Sequence, residues 1–130
     1  MFQKRKSVIV LGFCLALVPA CRYQNDLVSE LTLAHEVSPQ PPRVGPSTIT
    51  LRVSDASGKP ATGIRMKLEG NMSHAGMSPV FGTANESGPG QYSSTMELSM
   101  AGDWHFVVHM TLPDGRELER QFEITGVIQP

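Results

Sequence analysis

The stretch TITLRV, residues 48–53, alternates polar and branched apolar residues and sets the fold class of this chain. Ile49, Leu51 and Val53 fall on one face of the stretch. Because successive side chains of a strand point to opposite faces, this alternation predicts a half-buried β-strand. The stretch IRMKLE, residues 64–69, repeats the same period of two. No segment of comparable length shows the period of an amphipathic helix.

Turn-forming residues separate further stretches of this kind. Residues 55–60 (DASGKP) and 113–115 (PDG) combine Asp, Gly and Pro, which favour turns. The prolines of residues 38–42 (SPQPP) lack the N–H group that ladder pairing needs, so the first strand should end there. Seven short strands between residues 31 and 127 therefore predict an all-β, seven-stranded antiparallel immunoglobulin-like sandwich.

The same alternation assigns side chains to the two faces of the strands. The residues expected to fill the core are Trp104, near its centre, and Met96, Met100 and Met110. His35 shares the parity of the apolar residues around it, so we expect it to be partly buried and hydrogen-bonded. His105 and His109 have the opposite parity and are expected at the surface. Four residues of strand, about 13 Å, separate them, which is too far to chelate one ion.

The N-terminus has the pattern of a targeting segment. A basic region at residues 4–6 precedes an apolar run at residues 8–18 and the sequence LVPAC at residues 17–21. That ending is similar to a bacterial lipobox, which predicts cleavage before Cys21 and attachment of lipid to its thiol. An ordinary secretory signal cut near Ala20 is the alternative. Cys14 would leave with the signal, so lipidation is the most economical use of Cys21.

These observations divide the chain into a lipoprotein signal peptide (1–20), a lipid-bearing Cys21 with its tether (21–30) and one domain (31–127). The protein would be anchored to a membrane of the cell envelope, facing the periplasm or the cell exterior. Eleven basic residues stand against twelve acidic ones, and removal of residues 1–20 leaves eight basic residues and a net charge near −4. With no basic patch and few aromatic residues, a nucleic-acid partner is not expected.

The segment MSHAGM, residues 72–77, carries the strongest chemical signal in the domain. Met72, His74 and Met77 bring two thioethers and one imidazole together within six positions. Thioethers are soft neutral ligands that select Cu(I), and imidazole binds copper in both oxidation states. Gly76 would let the chain turn back, which would bring Met77 towards the other two side chains. The segment therefore predicts a site for Cu(I), or for the similar ion Ag(I).

A structural interpretation of the same segment stays open. Met72 continues the parity of Met66 and Leu68, so it would also serve to close the core at the end of its strand. His74 and Met77 would then belong to a mildly apolar loop packed against the end of the sandwich.

Catalytic signals are weak in this sequence. No serine occurs in a nucleophile-elbow context, and no glycine-rich phosphate loop precedes a helix pattern. Once the signal is removed, Cys21 is the only thiol, and lipid would block it. We therefore expect a protein that acts without catalysis.

Several motifs of the domain resemble the YtkA-like domain family, which is related to the FixH-type proteins of bacterial cell envelopes. The matching stretches are PRVG (42–45), DASGKP (55–60), MSHAGMSP (72–79), GQY (90–92), MAGDW (100–104) and LPDGR (112–116). The resemblance covers nearly the whole domain and implies an immunoglobulin-like sandwich. Some members of the family belong to copper handling or to respiratory oxidase assembly.

Together these features predict an envelope lipoprotein that binds or hands on Cu(I) through Met72, His74 and Met77. The alternative is an interaction module without a metal, which docks onto an envelope assembly such as an oxidase or an efflux complex.

Overall fold

The structure, a computed structural model, describes residues 30–74 and 76–130 of the chain. The expected signal peptide, Cys21 and nearly all of the tether lie outside the described residues, as does Ala75 in the MSHAGM segment. The strands, in chain order, are β1 (Thr32–Ser38), β2 (Gly45–Ser54), β3 (Arg65–Met72), β4 (Val80–Gly88), β5 (Gln91–Leu98), β6 (Gly102–Thr111) and β7 (Glu117–Val127). The described residues contain no helix, and hence none that could cross a membrane.

The predicted seven antiparallel strands are confirmed, in the spatial order β1-β2-β5-β4-β3-β6-β7. The immunoglobulin-like sandwich is not confirmed, because the strands form one nearly closed sheet with the character of a barrel. The reason lies in β4, whose first half (80–84) pairs with β3 and whose second half (85–88) pairs with β5. This strand joins what would otherwise be two separate sheets.

A short parallel contact brings the two edges of the sheet together. The N–H of Val44 donates to the carbonyl of Ile128 at 2.8 Å, and the N–H of Ile128 donates to the carbonyl of Pro42 at 3.0 Å. Pro42 is buried beside this contact. The proline-rich break after β1 thus serves to close the barrel, in addition to ending the first strand.

The core fills the inside of the barrel, as the alternation of residues 48–53 predicts. Ile49, Leu51 and Val53 are buried, and their polar neighbours Thr48 and Arg52 are exposed. From the other half of the sheet come Met66, Leu68, Trp104, Phe106, Val108, Met110, Phe122 and Ile124. Burial of this apolar surface is the main source of stability in a domain for which the described residues show no disulfide.

The topology gives the barrel two different ends. The upper end carries the connections β1–β2, β3–β4 and β5–β6 together with the end of β7. The lower end carries the connections β2–β3, β4–β5 and β6–β7 together with the start of β1. The MSHAGM segment lies at the upper end, because it connects β3 to β4.

Two of the side chains assigned by parity lie elsewhere than expected. Met100 is 41% exposed, since it sits in the turn after Leu98, where the alternation of β5 has already ended. His35 is exposed although its parity is correct, because β1 is an edge strand beside the open part of the barrel. Its ring still stacks on Phe122, with 4.5 Å between the ring centroids.

Candidate functional site

The candidate site is the loop between β3 and β4, residues 73–79, together with the last residue of β3. Among the described residues of this loop, the N–H of Met77 donates a hydrogen bond to the carbonyl of His74 at 3.3 Å. Gly76 has a φ of 82°, a left-handed value that glycine adopts without steric cost. The turn predicted at Gly76 is therefore present, and it sends the chain back towards the barrel.

Met72 lies at the margin of the core. It is half-buried, packs against the core cluster and faces Trp104 in the register of β3 and β6. Its methyl group extends over Gly102, where an added Cβ would lie only 3.0 Å away. Met72 thus closes the upper end of the core, as the structural interpretation expects, while its thioether stays at the rim of the barrel.

Met77 and His74 differ in their surroundings. Met77 is half-buried and packs against the same core cluster as Met72, which places both thioethers on the upper rim. His74 is exposed to solvent, and its imidazole makes no hydrogen bond or ion pair within the described part of the chain. The structure brings the two methionines to one apolar end of the barrel and leaves the imidazole free to turn towards them or towards water.

Trp104 connects this loop to the neighbouring turn. The indole is buried in the core, as expected, and Trp104 is the third residue of β6, counted from the upper end of that strand. Its Nε1–H donates to the carbonyl of Met100 at 3.0 Å. Trp104 therefore holds the β5–β6 turn while it packs beside Met72.

Sequence reasoning assigns Met100 to the core, with a cluster of Met96, Met100 and Met110 that reaches the metal loop as the alternative. It was assigned to the core because its number has the same parity as Met96 and Leu98. The sequence pattern MAGD (100–103) is the signal that corrects this assignment, because it marks the end of β5, and Met100 lies in the connection before β6, where the alternation no longer applies.

Exposed apolar side chains also collect at this end. The large hydrophobic residues with high exposure are Phe81 at 73%, Met100 at 41% and Ile128 at 41%. Phe81 is the second residue of β4, Met100 lies in the β5–β6 turn, and Ile128 follows β7, so all three lie at or near the upper end. Clustered exposed apolar groups are a feature of interaction surfaces.

His105 and His109 lie on the outer face of the sheet formed by β3, β6 and β7, as expected. His109 stands between two carboxylates, with Nε2 3.6 Å from Glu69 and Nδ1 3.5 Å from Glu119. The two carboxylates lie on opposite sides of the ring, next to different nitrogens. They therefore cannot bind the same metal ion together with the imidazole. Among the described residues, no group of three or more His, Cys, Asp or Glu side chains is arranged to hold a metal.

The displaced pKa values belong to the lower end. The hydrogen bond from the Ser57 hydroxyl, followed by that from the Lys59 N–H, lowers the pKa of Asp55 below 3.8. The hydrogen bond from the Arg116 N–H lowers the pKa of Asp114 in the same direction. Burial raises the pKa of Tyr92 above 10.0. These groups stabilise turns and show no sign of a catalytic arrangement.

Comparison with known proteins agrees with the motifs. A family profile described as YtkA-like matches residues 29–109, which is more than half of the chain. A search of curated proteins gives no match.

Two solved structures share a general resemblance. MtrC from Shewanella baltica OS185 is 14% identical with a TM-score of 0.44, over 76% of this chain and 22% of that protein. The outer membrane decaheme cytochrome OmcA is 12% identical with a TM-score of 0.43, over 72% of this chain and 22% of that protein. The chain therefore spans about a fifth of the length of either protein.

Proposed function

The chain belongs to the YtkA-like family, and we propose that it is an envelope lipoprotein that binds or hands on Cu(I) through Met72, His74 and Met77. The observation that carries this proposal is the placement of two half-buried thioethers and an exposed imidazole at one end of the barrel. Cu(I) is the common biological ion that such neutral sulfur ligands prefer, and Ag(I) shares the preference.

The remaining parts of the proposal concern the setting of this site. Lipid on Cys21 would anchor the protein to a membrane of the envelope, facing the periplasm or the exterior. Methionine suits an oxidising compartment, where cysteine would be consumed by disulfide formation. A relation to FixH-type proteins, and to immunoglobulin-like sandwiches, would place the activity in copper handling or oxidase assembly. The protein would act without catalysis.

A competition titration tests the metal site. The full-length protein, purified in detergent under reducing conditions, is titrated with Cu(I) in the presence of a chromogenic Cu(I) chelator. We expect one equivalent of Cu(I) to leave the chelator, and the double variant H74A/M77A to lose this capacity. The variant H109A is the matched control, because it removes an exposed histidine far from the loop. Wild-type protein that leaves the chelator fully loaded at micromolar copper would refute the metal site.

Mass spectrometry tests the anchor. The protein extracted from the membrane fraction should carry a diacyl or triacyl group on Cys21 as its first residue. An unmodified protein in the soluble fraction, cut near Ala20, would instead support the ordinary secretory signal.

The exposed apolar residues favour a second candidate, an interaction module that docks onto an envelope assembly. Phe81 is the most exposed of them, and it lies in the strand that follows the candidate loop. A photo-crosslinker at position 81 should then capture one envelope protein reproducibly in cells, whereas a crosslinker at the exposed Thr95 of β5 should not. This result together with a negative copper titration would favour the interaction module.

A further inference from the structure

Met100 is an exposed methionine in the connection between β5 and β6, at the upper end of the barrel. Met66, Met96 and Met110 lie on the inside of the barrel and are at most 2% exposed, whereas Met100 is 41% exposed. Its thioether is accessible to a soft metal ion, and it lies at the same end of the barrel as Met72 and Met77.

The position of Met100 is fixed relative to the candidate loop. Its carbonyl accepts a hydrogen bond of 3.0 Å from the Nε1–H of Trp104, whose indole is only 1% exposed. A hydrogen bond to a buried, tightly packed ring holds the start of this turn in one place. The β5–β6 turn is thereby attached to the upper rim of the core.

Met72 reaches this turn from the other side. It faces Trp104 directly across the β3–β6 pair, and opposite residues of an antiparallel pair have Cβ atoms about 5 Å apart. Its methyl group lies over Gly102, two residues after Met100. A side chain on Gly102 would displace Met72, so the close approach of this thioether to the turn depends on that glycine.

We propose that Met100 is a further thioether ligand of the Cu(I) site, supplied by the β5–β6 turn to the Met72, His74 and Met77 of the β3–β4 loop. The inference rests on the proposed function. It adds a third neutral sulfur to a set with one nitrogen, which suits a soft monovalent ion. The bound ion would then contact two connections that are separate in the sequence, β3–β4 and β5–β6.

A single substitution isolates the sulfur. The variant M100L keeps the apolar bulk of the side chain and removes the thioether, and I128L is the matched control at an equally exposed residue of the same end. In the chelator competition with the full-length protein, we expect M100L to weaken Cu(I) binding about tenfold or more and I128L to leave it unchanged. Thermal unfolding of the metal-free M100L protein should match that of the wild type, because the residue is exposed.

A second measurement reads the site directly. Trp104 is the only tryptophan of the sequence, so its fluorescence reports on the turn that carries Met100. The methionine methyl resonances of the protein should respond to Ag(I) at Met72, Met77 and Met100, and those of Met66 and Met110 should stay in place. We expect Ag(I) to change the Trp104 emission in wild-type protein and in I128L.

The outcomes separate the two proposals. Wild-type binding with an unchanged affinity in M100L and an unshifted Met100 methyl resonance would overturn the role of Met100 and leave the three-residue site standing. Wild-type protein that takes no Cu(I) and shows no response to Ag(I) would overturn both.

Discussion

The two ends of the barrel are built in different ways. At the lower end, the carboxylate of Asp55 accepts bonds from Ser57 and Lys59, and the carboxylate of Asp114 accepts bonds from Arg116. At the upper end, the β3–β4 loop has one backbone bond of 3.3 Å, between Met77 and His74. The lower connections are specified by their own side chains, whereas the upper loop keeps its imidazole exposed and its two methionines half-buried against the core. Side chains that do not stabilise their own loop are available to a ligand.

Tyr92 gives the lower end its strongest side-chain anchor. Its hydroxyl accepts a bond of 3.1 Å from the N–H of Ile64 and donates one of 2.9 Å to the carbonyl of Ala61. Both partners belong to the β2–β3 connection, so one buried ring from β5 fixes a connection of the neighbouring strands. The upper loop has no counterpart of this kind among the described residues.

The largest effect we expect is that bound Cu(I) stabilises the upper end of the barrel and so raises the free energy of unfolding. A ligand that binds only the folded state stabilises it by about 2.7 kcal/mol when its free concentration is a hundred times the Kd. Thermal unfolding of the full-length protein with buffered Cu(I) should show this gain, and H74A/M77A should not. An equal gain in both proteins would mean that the metal binds elsewhere.

The next largest effect is expected from a substitution that weakens the lower end of the barrel. Y92F removes the hydroxyl and leaves the Ile64 N–H and the Ala61 carbonyl without their partner. Because unpaired buried polar groups are costly, we expect the free energy of unfolding to fall by about 1–3 kcal/mol. Urea unfolding at constant pH measures it. A change below about 0.5 kcal/mol would show that the connection does not depend on this anchor.

A fall in pH should also destabilise the lower end of the barrel before the upper end. The pKa values of Asp55 and Asp114 are lower in the folded protein than the usual 3.8, because hydrogen-bond donors favour their charged forms. Their contribution to stability is therefore complete above pH 3.8 and is lost as the pH falls below it through the folded values. In D55N/D114N the decline of stability in this acid range should be shallower than in wild type. An identical acid profile would contradict the role of the two turns.

The smallest effect concerns the upper loop without metal. His74 is exposed and its side chain stabilises nothing in the described structure, so H74A should change the free energy of unfolding by no more than about 0.5 kcal/mol. The same urea measurement applies. A loss near that of Y92F would place His74 in the packing of the loop and would weaken its proposed role as a ligand.

The strands were predictable because burial leaves a direct mark on the sequence. Ile49, Leu51 and Val53 are buried for the same reason that they alternate with polar residues, and β3, β5 and β6 repeat that relation. The closure of the sheet into a barrel has no comparable pattern in the sequence. It depends on how β4 divides its pairing between two neighbours, and a strand that changes partner halfway has the same alternation as one that does not.

The turn of the candidate loop was predictable, and the binding of a metal by its side chains stays a prediction. Met72, His74 and Met77 are close in sequence, and the turn at Gly76 follows from the residue itself. Met100 belongs to another connection, and only the register of β3 with β6 brings that turn beside Met72. The alternation of buried and exposed residues stops where a strand ends. It therefore does not predict which loop residues meet in a site such as this one.

The described chain begins at the lower end of the barrel, and the candidate loop is at the upper end. A strand of ten residues such as β2 is about 33 Å long, so the barrel separates them by roughly that distance. Nine residue steps join Cys21 to Glu30, with a reach of at most about 30 Å. With lipid on Cys21, as proposed, the tether would join the barrel at the end opposite the candidate loop, so a copper-exchanging partner would meet the loop on the side of the domain away from that attachment.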